Sequence, residues 1–286
     1  MTISKKPPAA KGRIKTSPFA YLAVSPHLVW TVLFIAAPLV FVLYYAFTDA
    51  SSESFTWDNI LALSEHTETF TLSLSMSVIA TVLCLLIGYP LAYCIAKLSP
   101  KAQKIAILLL MLPMWMNLLI RTYSMMAILD DGGFLNHFLM ALGFEPVHIV
   151  GTAPAVIFGM VYNFLPYMVL PIHSVISKMD HRYIEAAHDL GCNSLQTLGR
   201  VILPLSTSGI ISGVTMVFVP SISTFYISQK LGGGTFDLIG DTIERQFQNP
   251  STYNVGASIS LVMMILILLS MAVMNRFSDD EGTVIV

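Results

Sequence analysis

Six apolar stretches dominate this sequence, at roughly 26–47, 70–96, 105–128, 153–176, 201–227 and 255–276. An α-helix rises about 1.5 Å per residue and the hydrocarbon of a bilayer is about 30 Å thick, so each stretch is long enough to cross it. In lipid every backbone polar group needs an internal partner, which leaves only helices or closed barrels. Barrel strands are short and alternate in hydrophobicity, whereas these runs are long and continuously apolar. The expected fold is therefore all-α, a polytopic bundle of six transmembrane helices over 26–276, with tails at 1–25 and 277–286. The low charge agrees: 11% of residues are charged, against about 25% in an average soluble domain.

Orientation follows from where Lys and Arg fall, because positive residues stay on the cytoplasmic side. The N-terminal tail carries Lys5, Lys6, Lys11, Arg13 and Lys15, and the 97–104 loop carries Lys97, Lys101 and Lys104. The 177–200 loop carries Lys178, Arg182 and Arg200, and the C-terminal tail Arg276, whereas the alternate loops hold only Lys230 and Arg245. Both termini and the 177–200 loop are thus expected in the cytoplasm. The basic tail before an apolar run has the look of a signal peptide, but the run is about 20 residues long with no small-residue cleavage site after it, so an uncleaved first span is expected. Nothing in the net charge of −2 points to nucleic acid. Cys84, Cys94 and Cys192 form no C-x-x-C pair, no histidine stands at metal spacing, and the cysteines read as structural. Pro38, Pro90, Pro113, Pro166, Pro171, Pro204 and Pro220 interrupt the spans and are expected to bend them. Gly209, Ser212, Gly213 and Thr215 would let the fifth span approach a neighbour closely. No internal repeat is visible.

The loop from Lys178 to Pro204, KMDHRYIEAAHDLGCNSLQTLGRVILP, carries the most specific signal. Asp180 can cap a short helix through Glu185, Ala186 and Ala187 that stops at Gly191. Asn193 followed by Gln196 has the form of a capping box for a second helix leading into the fifth span. Ile184, Ala187 and Leu190 recur at helical spacing, beside Glu185 and Asp189. These residues resemble the EAA motif of type I permeases of ATP-binding-cassette (ABC) importers: Glu185-Ala186-Ala187, Gly191, then Ile202-Leu203-Pro204, with Ile202 abutting Leu203 where the family pattern has a residue between them. The resemblance implies that the loop docks on an ATPase subunit. Glu185 would then supply an ion-pair partner, Ala186 and Ala187 the close-contact surface, with Asp189 beside them, and Gly191 the turn. No G-x-x-x-x-G-K-[ST] loop occurs, so the chain is not expected to be an enzyme or to bind a cofactor itself. ATP and Mg would be used by partner ATPases. Gly232-Gly233-Gly234 reads as a flexible turn.

From the second span onward the chain more closely resembles the first membrane permease of spermidine/putrescine importers. The matching segments are Gly88-Tyr89-Pro90, Leu112 to Trp115 with Arg121-Thr122-Tyr123, Leu165 to Pro171, and Leu238 to Asp241 with Gln246-Phe247. The resemblance implies a second, non-identical permease, two ATPase subunits and an extracytoplasmic binding protein. A polyamine path needs carboxylates for ammonium groups and aromatic faces that attract cations. Candidates are Trp115, Tyr123, Tyr162, Phe164, Tyr167, Phe225 and Tyr226, most of them read as packing or interface anchors with no more than two or three touching substrate, and Asp241 and Glu244, which share a face if their segment is helical. Eleven acids stand in the outer loops against two bases, a balance that attracts polycations and also follows from topology alone. Arg121 is the one charge inside a span; on a straight helix it lies about 25 Å beyond Lys104, near the outer boundary. It reads either as a gate or docking ion pair with Asp241 or Glu244, or as an interfacial arginine reaching for water. Alternatives remain: an ABC permease for an iron complex or organic anion, an ion-coupled carrier, which would need titratable groups at mid-membrane, or a membrane enzyme, for which the spans show no constellation.

Overall fold

A computed structural model describes residues 18–49 and 54–279. The basic tail up to Lys15, Glu53 of the first outer loop and residues 280–286 lie outside the described residues. The main helices in chain order are α1 (Ser25–Ala46), α2 (Thr67–Ala96), α3 (Pro100–Met111), α4 (Leu118–Leu129), α5 (Phe134–Ala141) and α6 (Ala153–Ile176). They are followed by α7 (His181–Asp189), α8 (Thr207–Ile222), α9 (Tyr226–Leu231), α10 (Ile239–Gln248) and α11 (Tyr253–Asp279).

Among the described residues, four helices are long and apolar enough to cross a membrane by themselves: Ser25–Ala46, Asp58–Ala96, Ala153–Ile176 and Pro250–Met274. Two further pairs pass only together, Pro100–Trp115 with Leu118–Ala141, bent by 94°, and Ser194–Leu205 with Thr207–Ile222, bent by 68°. Counting each pair as one span gives six. The third and fifth spans, expected over 105–128 and 201–227 with bends at their prolines, are each divided into two helices at a sharp bend.

Each break has a local cause. Pro113 sits in a 3-10 turn over Leu112–Trp115, and Met116 is extended (φ −76, ψ 147). Asn117 then starts α4 afresh by accepting the Leu119 N–H on its side chain at 2.8 Å. Proline removes a helical donor and asparagine is a favoured N-cap, so the pair ends one helix and begins another. At the second break the hydroxyl of Ser206 donates to the Leu203 carbonyl (3.1 Å) and that of Thr207 to the Pro204 carbonyl (2.8 Å). Tyr89 of α2 holds the break in place, its hydroxyl 3.0 Å from that of Ser206. Pro90, Pro166, Pro171 and Pro220 lie inside continuous helices, where neighbours can satisfy freed carbonyls.

The core is a three-helix centre of α2, α6 and α8, with Ala80 and Cys84, Met160 and Met168, and Val217 fully buried. Helix α11 packs on the second half of α1 and on α10. In lipid the association of helices rests on close packing and hydrogen bonds, which favours small residues at crossings. Gly209 and Gly213 do lie against α6, a Cβ on either coming within 3.0 Å of an α6 atom. Ser212 does not: it is exposed, because one step from Gly213 is about 100° around the helix. Thr215 is half-buried and its hydroxyl reaches both the Ile211 carbonyl of its own helix (2.8 Å) and the Met274 sulfur of α11 (3.4 Å), so it does meet a neighbour.

Candidate functional site

The 178–204 loop folds as the local rules dictate. Asp180 caps α7 by accepting the Arg182 N–H at 3.0 Å. At the other end Gly191 adopts φ +83, its N–H donates to the His188 carbonyl (2.9 Å), and the Cys192 N–H donates to the Ala187 carbonyl (3.0 Å). This is a Schellman closure, which a glycine accepts without strain. The capping box is formed in both directions, Gln196 N–H to Asn193 Oδ1 and Asn193 N–H to Gln196 Oε1, each 2.9 Å.

The loop presents Glu185, Ala186 and Asp189 to solvent, together with Leu190 and Leu195, which are 85% and 80% exposed. One expectation fails: Ala187 is buried against the chain itself, with Ile184 half-buried on the same side. Helical spacing places residues three apart on one face, so Ala187 follows Ile184 inward and only Ala186 remains for close contact. Leu190, expected to continue that strip, turns outward where the helix ends. Two exposed leucines thus share the loop with two carboxylates, Glu185 and Asp189, that form no salt bridge among the described residues.

On the other part of the chain, two of the candidate groups come together. Tyr123 of α4 and Tyr226 of α9 meet edge to face with centroids 6.2 Å apart, and Lys230 Nζ lies 5.2 Å from the first ring and 5.8 Å from the second. Lys230 was not among the sequence candidates. Tyr162 and Arg121 line a cavity of about 800 Å³ with Phe158 and Ser124. Trp115 is 71% exposed at the first break, Tyr167 of α6 contacts Phe164 at 6.5 Å, and Phe225 is 40% exposed at the start of α9.

The expected pairing of Arg121 with Asp241 or Glu244 does not form. Arg121 is 9% exposed and donates from Nη1 to the Pro113 carbonyl at 3.1 Å, a contact made possible by the break that the straight-helix reading omitted. Glu244, on the same α10 helix as Asp241, is engaged by Gln229 and by Gln248 (3.1 Å). Asp241 is 4% exposed, and its Oδ2 accepts from the Ser228 hydroxyl (2.6 Å) and the Leu238 N–H (2.8 Å). Its Oδ1 is buried with no partner among the described residues. Asp241 therefore pins α9 to α10, and the Ile239 N–H extends the pin to Ser73 of α2 (2.7 Å).

Burial pushes the Asp241 carboxyl up to about 6, with Asp237 adding to the rise and the bonds from Ser228 and Leu238 and the charge of Arg245 opposing it. An unfolded aspartate titrates near 3.9. Between about pH 4 and pH 6 the folded chain holds a proton that the unfolded chain releases, so stability falls as pH rises through that window. Asp241→Asn is expected to remove most of that slope, a change on the order of 2 kcal/mol. Melting temperatures of native and variant complex compared at about pH 4.5 and about pH 7 check this; equal slopes would place the titration elsewhere.

Residues 26–280 match the family described as "Binding-protein-dependent transport system inner membrane component". The chain is 37% identical over 273 residues to the spermidine/putrescine transport system permease protein PotB of Haemophilus influenzae, covering 92% of this chain and 96% of that one. It is 40% identical over 258 residues to PotB of Escherichia coli, covering 87% and 94%. Its fold is similar to a chain of the crystal structure of a bacterial ABC transporter that imports the acidic polysaccharide alginate, with a TM-score of 0.73 at 18% identity, covering 92% and 95%.

Proposed function

The chain belongs to the family of binding-protein-dependent transport system inner membrane components, and from that premise we propose that it is one permease of an ABC importer whose cargo is a polyamine of the spermidine and putrescine class. The observation that carries this reading is the likeness, over 92% of the chain, to a permease named for those two amines. The chain works as a multi-pass subunit of the inner membrane. It pairs with a second, non-identical permease, with two ATPase subunits that use ATP and Mg, and with an extracytoplasmic binding protein. Both termini and the 178–204 loop face the cytoplasm, a reading supported by the twelve Lys and Arg residues on that side against two on the other. Glu185, Ala186, Asp189, Leu190 and Leu195 form the docking surface, and Gly191 sets the turn that presents it. Alternating access is driven when ATP closes the ATPases and the α7 loop moves with them, pulling on the Ser206 break tied to Tyr89.

In a reconstituted complex, binding protein loaded with spermidine or putrescine is expected to stimulate ATP hydrolysis several-fold, and a neutral sugar or an organic anion is expected to do nothing. Stimulation by an anion alone would overturn the cargo while leaving the permease role in place.

A further inference from the structure

We infer that the cavity between α4, α5 and α6 is a site for an anionic phospholipid, with Arg121 holding the phosphodiester. Arg121 is nine-tenths buried, yet among the described residues no carboxylate pairs with its guanidinium and its Nε is buried with no partner. Its one side-chain bond, to the Pro113 carbonyl, leaves most of the five guanidinium donors to be satisfied from elsewhere. A buried cation in a low-dielectric setting without an anion is costly, so an anionic partner is the missing element.

The cavity decides which anion. Its volume is about 800 Å³, and apart from Arg121, Ser124 and Tyr162 its walls are apolar, with Ile128, Leu135 and Phe158 among them. A carboxylate offered by a neighbouring subunit would answer the charge and leave the apolar space empty. An amphiphile answers both: a phosphodiester accepts two parallel bonds from guanidinium, and an acyl chain fills the rest. A polyamine is the wrong partner, since its ammonium groups repel Arg121. The depth also fits. From the cytoplasmic end of α3, the helix and the 3-10 turn over Leu112–Trp115 rise roughly 25 Å. With α3 taken along the membrane normal, the 94° bend between Pro100–Trp115 and Leu118–Ala141 turns the second piece towards the membrane plane, which keeps Arg121 near the headgroups of the far leaflet.

The test uses the whole transporter purified in detergent, with bound phospholipid extracted and identified by mass spectrometry. The native complex is expected to retain phosphatidylglycerol or cardiolipin in roughly stoichiometric amount. Arg121→Gln should lower that retention by about tenfold or more, the scale of a charge-assisted hydrogen bond, and Arg121→Lys should restore part of it. Ile128→Trp, which leaves the guanidinium and fills the acyl space, should also lower retention, so the result does not hang on one variant. Retention unchanged by both Arg121→Gln and Ile128→Trp overturns the proposal. So does recovery of transport when Arg121→Glu is combined with an acid-to-lysine change on the second permease, which would assign the guanidinium to a subunit contact.

Discussion

Replacing Glu185 by lysine is expected to cut uptake by about tenfold or more while the membrane helices stay inserted and packed. Truncating or opposing one partner of a close charge pair at an interface costs roughly 2–5 kcal/mol, and about 1.4 kcal/mol is already a factor of ten. Glu185 is exposed on α7 and, among the described residues, has no ion pair that its loss would break. The damage should therefore appear as subunits that separate during purification, or as ATP hydrolysis that no longer responds to loaded binding protein. Gly191→Val should act on the same step by another route. There is open space around the glycine, so nothing would clash, but φ +83 is a conformation that a β-branched residue resists. The α7 helix would lose its Schellman closure and present Leu190 and Leu195 in the wrong place. A charge reversal on the ATPase that restores uptake to the Glu185→Lys variant would identify the partner residue. Normal transport with normal ATPase association in that variant would sink the docking role of this loop.

The accuracy of the loop reading and the errors in the span reading share one physical origin. Caps and glycine turns are settled by residues a few positions apart, and Asp180, Gly191 and the Asn193–Gln196 box all form as expected. Whether a proline breaks a helix in lipid depends on who can satisfy the freed carbonyl, and that is tertiary. Pro166 is accommodated inside α6, whereas Pro113 ends a helix. Asn117, just beyond it, was a readable cue, since a side-chain acceptor at that position favours a new start. The bond from Arg121 to the Pro113 carbonyl was missed because that helix was taken as straight. Other features had no local signal: Lys230 beside Tyr123 joins α9 to α4, and the tie between Tyr89 and Ser206 joins α2 to the second break. Ala187 was legible in principle, because its spacing from Ile184 already placed the two on one face, and only the choice of which face turned inward was missing.

Gly213→Ile is expected to prevent stable assembly of the permease. A Cβ at Gly213 would stand 2.8 Å from the Met168 sulfur, 3.1 Å from the Met168 carbonyl oxygen and 3.4 Å from its Cα. The sulfur end of a methionine can ordinarily swing aside. Here it has little room, because Met168 is fully buried and Gly88 of α2 also packs against its side chain, a Cβ on Gly88 coming 3.0 Å from Met168 Cγ. The backbone atoms of α6 can yield only if the helices separate. Gly209, one turn earlier, enforces the same approach, with the Pro171 carbonyl oxygen at 3.0 Å and Ile172 Cα at 3.1 Å. Overpacking a core costs about 1–3 kcal/mol where neighbours can shift, and more where the obstacle is backbone. With no apolar transfer term to hold helices together in lipid, that loss falls on the packing that joins α8 to α6. The yield of monodisperse complex and its melting temperature should both collapse. Ser212→Leu, one residue away on the exposed face, should assemble as the native chain does. Adding Met168→Ala to Gly213→Ile should recover part of the yield by opening the space the isoleucine needs. A Gly213→Ile protein that assembles with native stability would mean that α8 does not need this close approach to α6.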